Sequence, residues 1–202
     1  MITIVDYGLG NLGSIANMLK KVGTEAEVTG DLEKIYKAKK IILPGVGAFD
    51  KAMEKLTETD LRKVLDEKAQ KEKIPFLGIC LGMQLLGDGS EEGALPGLNW
   101  IPAYAYKFSF ADNKLKVPHM SWNDVHVLKQ NQLLRDIDET PSFYFSHSYF
   151  VLAENTDNII ATTQYGVTFH SVIQKDNIYG AQFHAEKSHK YGIKFFENFA
   201  NL

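Results

Sequence analysis

Ile74-Pro75-Phe76-Leu77-Gly78-Ile79-Cys80-Leu81-Gly82-Met83-Gln84-Leu85-Leu86 is the stretch on which the reading of the fold turns. Its apolar run reads as a buried strand, its two glycines flank the only cysteine of the chain, and the apolar residues beyond read as the opening of a helix. Glycine on both sides of Cys80 permits a sharp turn and leaves no side chains beside the sulfur. A thiol placed there stands at the carboxyl end of a strand, facing the first amides of a helix, which favours thiolate and any oxyanion that forms next to it. Taken alone, a single cysteine is more often a small core hydrophobe.

Working outward, the same alternation of strand and helix recurs. Ile2 to Val5 reads as a buried strand, and Leu12, Ile15, Leu19 and Val22 carry the spacing of one helical face. Ala26 to Val28 and Lys40 to Pro44 supply two more strands, with a weak helix at 32–38 between them and a long helical pattern over 49–71 after them. Strands alternating with helices imply an α/β protein with a mostly parallel central sheet flanked by helices. From about Leu98 the pattern changes to short strands, at 100–108, 117–120, 143–151, 159–163, 168–174 and 178–183, before a helix at 190–202. Turn signals at Ala111-Asp112-Asn113 and Lys175-Asp176-Asn177 make this second half richer in antiparallel pairing. No linker, repeat or low-complexity tract divides the chain, so residues 1–202 are expected to form one domain.

At 202 residues, with 45% hydrophobic and 23% charged residues and a formal net charge of −3, the chain has the composition of an ordinary water-soluble protein. The lack of a basic run argues against a nucleic-acid partner. No apolar segment approaches the roughly 18 residues of a membrane span, and the start lacks a signal-peptide pattern. With one cysteine no internal disulfide is possible. The expected location is the cytoplasm.

A nucleophilic cysteine needs a base, and the base an orienting group. Tyr179-Gly180-Ala181-Gln182-Phe183-His184-Ala185-Glu186-Lys187-Ser188 offers both. If this segment stays extended as far as Glu186, His184 and Glu186 project from one side and can meet. His119, His126, His147, His170 and His189 lack metal-ligand spacings, so no metal is expected, and no cofactor. A rival reading comes from Gly8-Leu9-Gly10-Asn11-Leu12-Gly13, which has the dinucleotide-binding pattern, with Asp31 roughly 20 residues on as the ribose acceptor. An oxidoreductase of that kind would leave Cys80, His184 and Glu186 unused.

Together Gly78 to Gln84, Pro44-Gly45-Val46-Gly47-Ala48-Phe49 and Gln182 to Ser188 resemble the class I glutamine amidotransferases of the triad type. Asp6 to Leu12, Pro118-His119-Met120-Ser121-Trp122-Asn123 and Phe143 to Tyr149 narrow the resemblance to the glutaminase subunits of imidazole glycerol phosphate synthases. The resemblance spans the whole chain. It implies a flavodoxin-like amidotransferase fold, glutamine as substrate, and a triad of Cys80, His184 and Glu186. The oxyanion donors would be backbone amides of Leu81 and of Val46 or Gly47 in the glycine turn. Gln84, Glu92 and the segment His147, Ser148, Tyr149, together with Gly47, would hold glutamine. Glu92 reads equally as part of a solvated acidic loop, and His147 equally as structural.

Ammonia released from glutamine is useful only beside an acceptor site, and the resemblance implies a (β/α)8 cyclase as partner in a heterodimer. Asn11, Trp122, Asn123, Tyr144 and Lys187 stand where the family has its interface and ammonia passage; the aromatic ones read equally as core residues of strands. Three positions depart from the family pattern: Ala185 for proline, Ser121 for glycine and Ser146 for an apolar residue. Such departures fit also a paralogue that feeds ammonia to a sugar-amidating enzyme of surface polysaccharide or flagellar glycan synthesis.

Overall fold

The computed structural model describes residues 1–111 and 115–202. Its strands are β1 (Ile2–Val5), β2 (Ala26–Thr29), β3 (Ile41–Gly45), β4 (Phe76–Cys80), β5 (Gly89–Ser90), β6 (Ala103–Lys107), β7 (His119–Asp124), β8 (His126–Val127), β9 (Ser142–His147), β10 (Tyr149–Ala153), β11 (Ile159–Tyr165), β12 (Val167–Lys175) and β13 (Ile178–Ala181). The α-helices are α1 (Leu12–Lys21), α2 (Leu32–Tyr36), α3 (Phe49–Thr57), α4 (Leu61–Asp66), α5 (Leu81–Leu85) and α6 (His189–Ala200).

An eight-stranded sheet runs in the order β2-β1-β3-β4-β13-β12-β11-β8. The first five strands are parallel and the last three antiparallel, so the two halves of the sequence meet where β13 lies beside β4. The parallel strands β1, β3, β4 and β13 are buried from end to end, as strands covered on both faces must be. One face packs against α1 and α6 through Ile15, Leu19, Phe195, Phe196 and Phe199. The other packs against α3, α4 and α5 through Phe49, Met53, Leu56, Leu65 and Leu85. Burying one such phenylalanine or leucine contributes about 1.5–3 kcal/mol. Two smaller sheets, β10-β6-β5 and the ribbon β7-β9, lie outside the main one.

Three expectations need correction. The helical pattern over 49–71 is broken at 58–60, and its second part passes from α4 into a π-helical turn at Glu67–Lys71. The stretch 143–151 is two strands in two different sheets, with the chain leaving β9 at His147 and entering β10 at Tyr149. The 179–188 segment does not stay extended: β13 ends at Ala181, and Ala185–Lys187 is a 3-10 turn. The hairpin at Asp176-Asn177 forms between β12 and β13, with Asp176 at φ 52°. Most of the other turn signal, Asp112-Asn113, lies outside the described residues.

Candidate active site

The carboxyl ends of β3, β4 and β13 lie side by side, which in an open parallel sheet is where a ligand site forms. Cys80 ends β4 with φ 55° and ψ −113°, a conformation that bulky residues rarely adopt. What holds it is the close approach of α5 to the sheet. A Cβ on Gly82 would collide with the Leu43 carbonyl, and one on Gly78 would collide with the backbone of Gly82. The glycines flanking Cys80 are therefore a packing requirement, and the turn they permit presents the sulfur at the floor of a cleft of about 290 Å³.

His184 and Glu186 do meet, though not by strand alternation. The 3-10 turn brings Glu186 Oε1 to 2.8 Å from His184 Nδ1, leaving the Nε2 edge toward Cys80, whose sulfur lies 3.9 Å from the Ser146 carbonyl. Backbone bonds fix this segment on β9: His184 N–H donates to the Tyr144 carbonyl at 2.8 Å, and Ser188 Oγ links the His184 carbonyl to the Tyr144 amide. Burial works against a charged His184. The hydrogen bonds and negative charges of Cys80 and Glu186 outweigh it and push the imidazole pKa up to about 10. Glu186 Oε2 has no hydrogen-bond partner among the described residues, so the carboxylate charge is shared with no other donor.

The cleft wall is amide-rich. Gln84, one turn along α5, donates to the Tyr149 carbonyl at 3.0 Å and to Gln182 Oε1 at 3.3 Å, and Gln182 Nε2 lies 3.8 Å from Cys80 Sγ. Val46 and Gly47 line the cleft opposite, with Gly47 at φ 117° and Gly45 paired to Cys80 across the sheet. The Leu81 amide, in the first turn of α5, has no intrahelical acceptor and is free to meet a developing oxyanion. Glu92 reaches the same cleft while its carboxylate accepts the Phe49 amide at the start of α3. His147, Ser148 and Tyr149 complete the wall. Thiol, imidazole, carboxylate and convergent amides form a set able to attack a carbonyl, stabilise the resulting oxyanion and protonate a leaving amine.

The family model for class-I glutamine amidotransferases matches residues 3–201. The chain belongs to the class-I glutamine amidotransferase family. Among relatives of this amidotransferase, imidazole glycerol phosphate synthase subunit HisH 2 of Methanococcus maripaludis is 53% identical over 199 residues, 98% of each chain. The HisH 2 of Pseudomonas aeruginosa is 46% identical over 202 residues, all of both chains, and the HisH of Leptospira borgpetersenii 44% over 204, again all of both. Solved structures share the fold at lower identity. A glutamine amidotransferase of known structure superposes with a TM-score of 0.74 at 16% identity, covering all of both chains. PurLQS from Thermotoga maritima gives 0.75 at 18%, covering 99% of this chain and 97% of its own.

The remaining expected residues of the amidotransferase divide. Trp122 and Tyr144 are cross-strand partners on the outer face of the β7-β9 ribbon, their rings 6.1 Å apart, with Lys187 Nζ 5.5 Å from the Tyr144 ring. Trp122 is 44% exposed and stacks on His189. Asn123 faces the other way, into the ribbon's inner side, where it bonds His119 and the Gln164 carbonyl. Asn11 precedes α1 in the glycine loop. That loop is no dinucleotide cradle: Gly10 packs against Pro44 of the β3 turn, Gly13 has open space around it, and Asp31 caps α2 by accepting the amides of Glu33 and Lys34. Two residues of the site stand in motifs read above and are given no role there. One is Gln182. The other is Tyr7, whose buried hydroxyl donates to the Pro44 carbonyl at 2.7 Å and so pins the turn that carries Val46 and Gly47. Burial, and then the nearby Cys80 charge, raise its pKa. Both act across long separations that no local pattern records. No helix of the described residues is long and apolar enough to cross a membrane.

Proposed function

We propose that this chain is the glutaminase subunit of an imidazole glycerol phosphate synthase, a single domain of residues 1–202. It hydrolyses glutamine to glutamate and ammonia and hands the ammonia to a (β/α)8 cyclase subunit in a heterodimer, within histidine biosynthesis. The observation that carries this reading is end-to-end identity of 44–53% with HisH subunits, in a chain whose cysteine and histidine line one cleft with the glutamate bonded to the histidine behind it. The full-length relatives favour the cyclase over a sugar-amidating acceptor.

In the mechanism, the Cys80 sulfur attacks the glutamine side-chain carbonyl. His184 takes the thiol proton and delivers it to the nitrogen as the C–N bond breaks and ammonia leaves, forming the thioester; it then takes a proton from the water that cleaves the thioester and returns it to the Cys80 sulfur as glutamate leaves. Glu186 holds the imidazole tautomer and supports its positive form. Backbone amides of Leu81 and of Val46 or Gly47 receive the oxyanion, and Gln84, Glu92 and the 147–149 segment receive the amino-acid head. Trp122, Tyr144, Lys187 and Asn11 belong to the partner-facing side. A lone thiol that must stay reduced to act suits the cytoplasm.

The diazoketone analogue of glutamine tests the reading. Stoichiometric labelling at Cys80, blocked by glutamine and absent in Cys80→Ala, is the expected result, and a wild-type chain left unlabelled overturns it. For the acceptor, co-purification with the cyclase and partner-stimulated glutaminase activity are expected; a cyclase that neither binds nor stimulates this chain removes the pathway assignment.

A further inference from the structure

The inward turn of Asn123 starts a chain of hydrogen bonds whose direction can be fixed link by link. Asn123 Oδ1 accepts the Asp124 amide at 2.8 Å, so its Nδ2 is the atom facing the Gln164 carbonyl at 3.0 Å and His119 Nε2 at 3.2 Å. His119 Nε2 is therefore an acceptor. His119 Nδ1 lies 3.1 Å from His147 Nε2, and His147 Nδ1 lies 2.8 Å from the Tyr149 carbonyl. A carbonyl only accepts, so His147 Nδ1 carries a proton, and in the neutral ring its Nε2 is a lone pair. That lone pair requires the proton on His119 Nδ1. Backbone groups anchor both ends, and they agree on one arrangement: both rings are Nδ1–H tautomers.

Packing keeps the rings from turning over. His119 is fully buried and lies stacked between Tyr165 and Phe145, at 3.9 and 4.9 Å between centroids, while Phe108 and Phe169 pack around His147. Burial lowers the His119 pKa to about 4 and the His147 pKa to about 3, so both are neutral near pH 7. The Tyr149 carbonyl that ends this chain also receives Gln84, and Gln84 leads through Gln182 to Cys80. In the opposite tautomer the lone pair of His147 Nδ1 would face that carbonyl at hydrogen-bond distance, two acceptors in a buried site.

We propose that His119 is a positioning residue for the glutamine site: by donating to His147 it locks the tautomer that holds the Tyr149 carbonyl, and with it Gln84, beside Cys80. This rests on the glutaminase reading for its functional consequence. The hydrogen-bond chain itself is independent of that reading.

Long-range nitrogen–proton correlation spectra of full-length protein carrying isotope-labelled histidine decide the structural part. His119 and His147 are expected as Nδ1–H tautomers near pH 7; either ring found as Nε2–H or as imidazolium overturns the proposal. Saturation kinetics of Cys80 labelling by the diazoketone analogue decide the functional part. His119→Leu removes the donor, and the half-saturating concentration is expected to rise about tenfold while the maximal labelling rate stays within about twofold. His119→Asn keeps an N–H close to the Nδ1 position and is expected to restore most of the affinity together with the Nδ1–H form of His147. Wild-type half-saturation in His119→Leu, or a loss in His119→Asn equal to that in His119→Leu, overturns it. If the wild-type chain is not labelled at all, the glutaminase reading falls, and the tautomer spectrum still decides the chain.

Discussion

Two sets of buried imidazoles flank the Cys80 cleft, and they differ in charge. His184, beside Glu186 and the cysteine, is held up to about pKa 10, while His119 and His147, in the β7-β9 ribbon, fall to about 4 and 3. Burial pushes all three the same way. The difference is the neighbour: His184 has the Cys80 sulfur and a carboxylate at 2.8 Å, both negative, whereas His119 and His147 have each other, aromatic rings and neutral polar groups, and the positive His184 lowers His147 further. The Cys80 sulfur and the Glu186 carboxylate thus separate an imidazole held in its positive form from a pair held neutral.

The comparison breaks most directly at that carboxylate. Glu186→Gln keeps an oxygen able to accept from His184 Nδ1 and removes the charge, so His184 is expected to move toward the neutral condition of the other pair. The rate of Cys80 labelling should fall by about 100-fold or more. Because the raised pKa keeps the imidazolium up to about pH 10, the alkaline limb of the labelling rate should also shift to lower pH in the variant. An unchanged alkaline limb would mean that Glu186 does not set the charge of His184.

How much of this was legible beforehand follows the range of the interactions. The strand, glycine turn and helix around Cys80 lie within thirteen consecutive residues, and the glycines were legible as a sharp turn; that they also admit α5 against the sheet depends on Leu43, far off in the chain. The parallel strands were legible because burial on both faces leaves unbroken apolar runs. Glu186 was read as the partner of His184, but the contact arises in a 3-10 turn, after β13 has ended at Ala181. The break at Ser148 was hidden because Phe143 to Val151 is apolar enough for one strand; the change of sheet is set by distant strands, β7 pairing as far as His147 and β6 from Tyr149 onward. Gln182, Tyr7 and the inward turn of Asn123 depend on partners 37 to 102 positions away or on the face chosen by a ribbon, and neither is written locally.

The two histidine sets also predict stability changes at opposite ends of the pH scale. His119 and His147 have folded pKa values below the ordinary 6.5, so the unfolded chain binds the extra protons as pH falls from about 6.5 toward 3, and stability is lost over that interval. His184 has a raised value, so its contribution is complete below about 6.5 and is lost as pH rises toward 10. Urea unfolding across this range should show stability falling on the acid side, at about 1.4 kcal/mol for each pH unit in which the two states differ by one proton. His119→Asn should lessen the acid-side loss, leaving the share of His147, and leave the alkaline side unchanged, whereas Glu186→Gln should lessen the alkaline-side loss and leave the acid-side share of His119 and His147 in place. Matching slopes in the two variants would erase the distinction between the sets.

The smallest expected effect concerns how firmly the His184 turn needs to be held. Ala185 stands where the family pattern has proline, between the two residues of the charged pair. His184 is in extended geometry, φ −88° and ψ 90°, which a following proline accepts, and the Ala185 amide has no backbone acceptor among the described residues. The turn is already fixed by the Tyr144 carbonyl, by Ser188 Oγ and by the His184–Glu186 bond. Ala185→Pro therefore removes no observed hydrogen bond and mainly restricts the unfolded chain, which stabilises by about 0.4–1 kcal/mol where the backbone already fits. Urea midpoints should rise slightly and the labelling rate of Cys80 should stay within about twofold. A large fall in that rate would show that the turn needs a freedom at Ala185 which its hydrogen bonds conceal, and that the charged histidine, unlike the neutral pair, is not held rigidly by its neighbours.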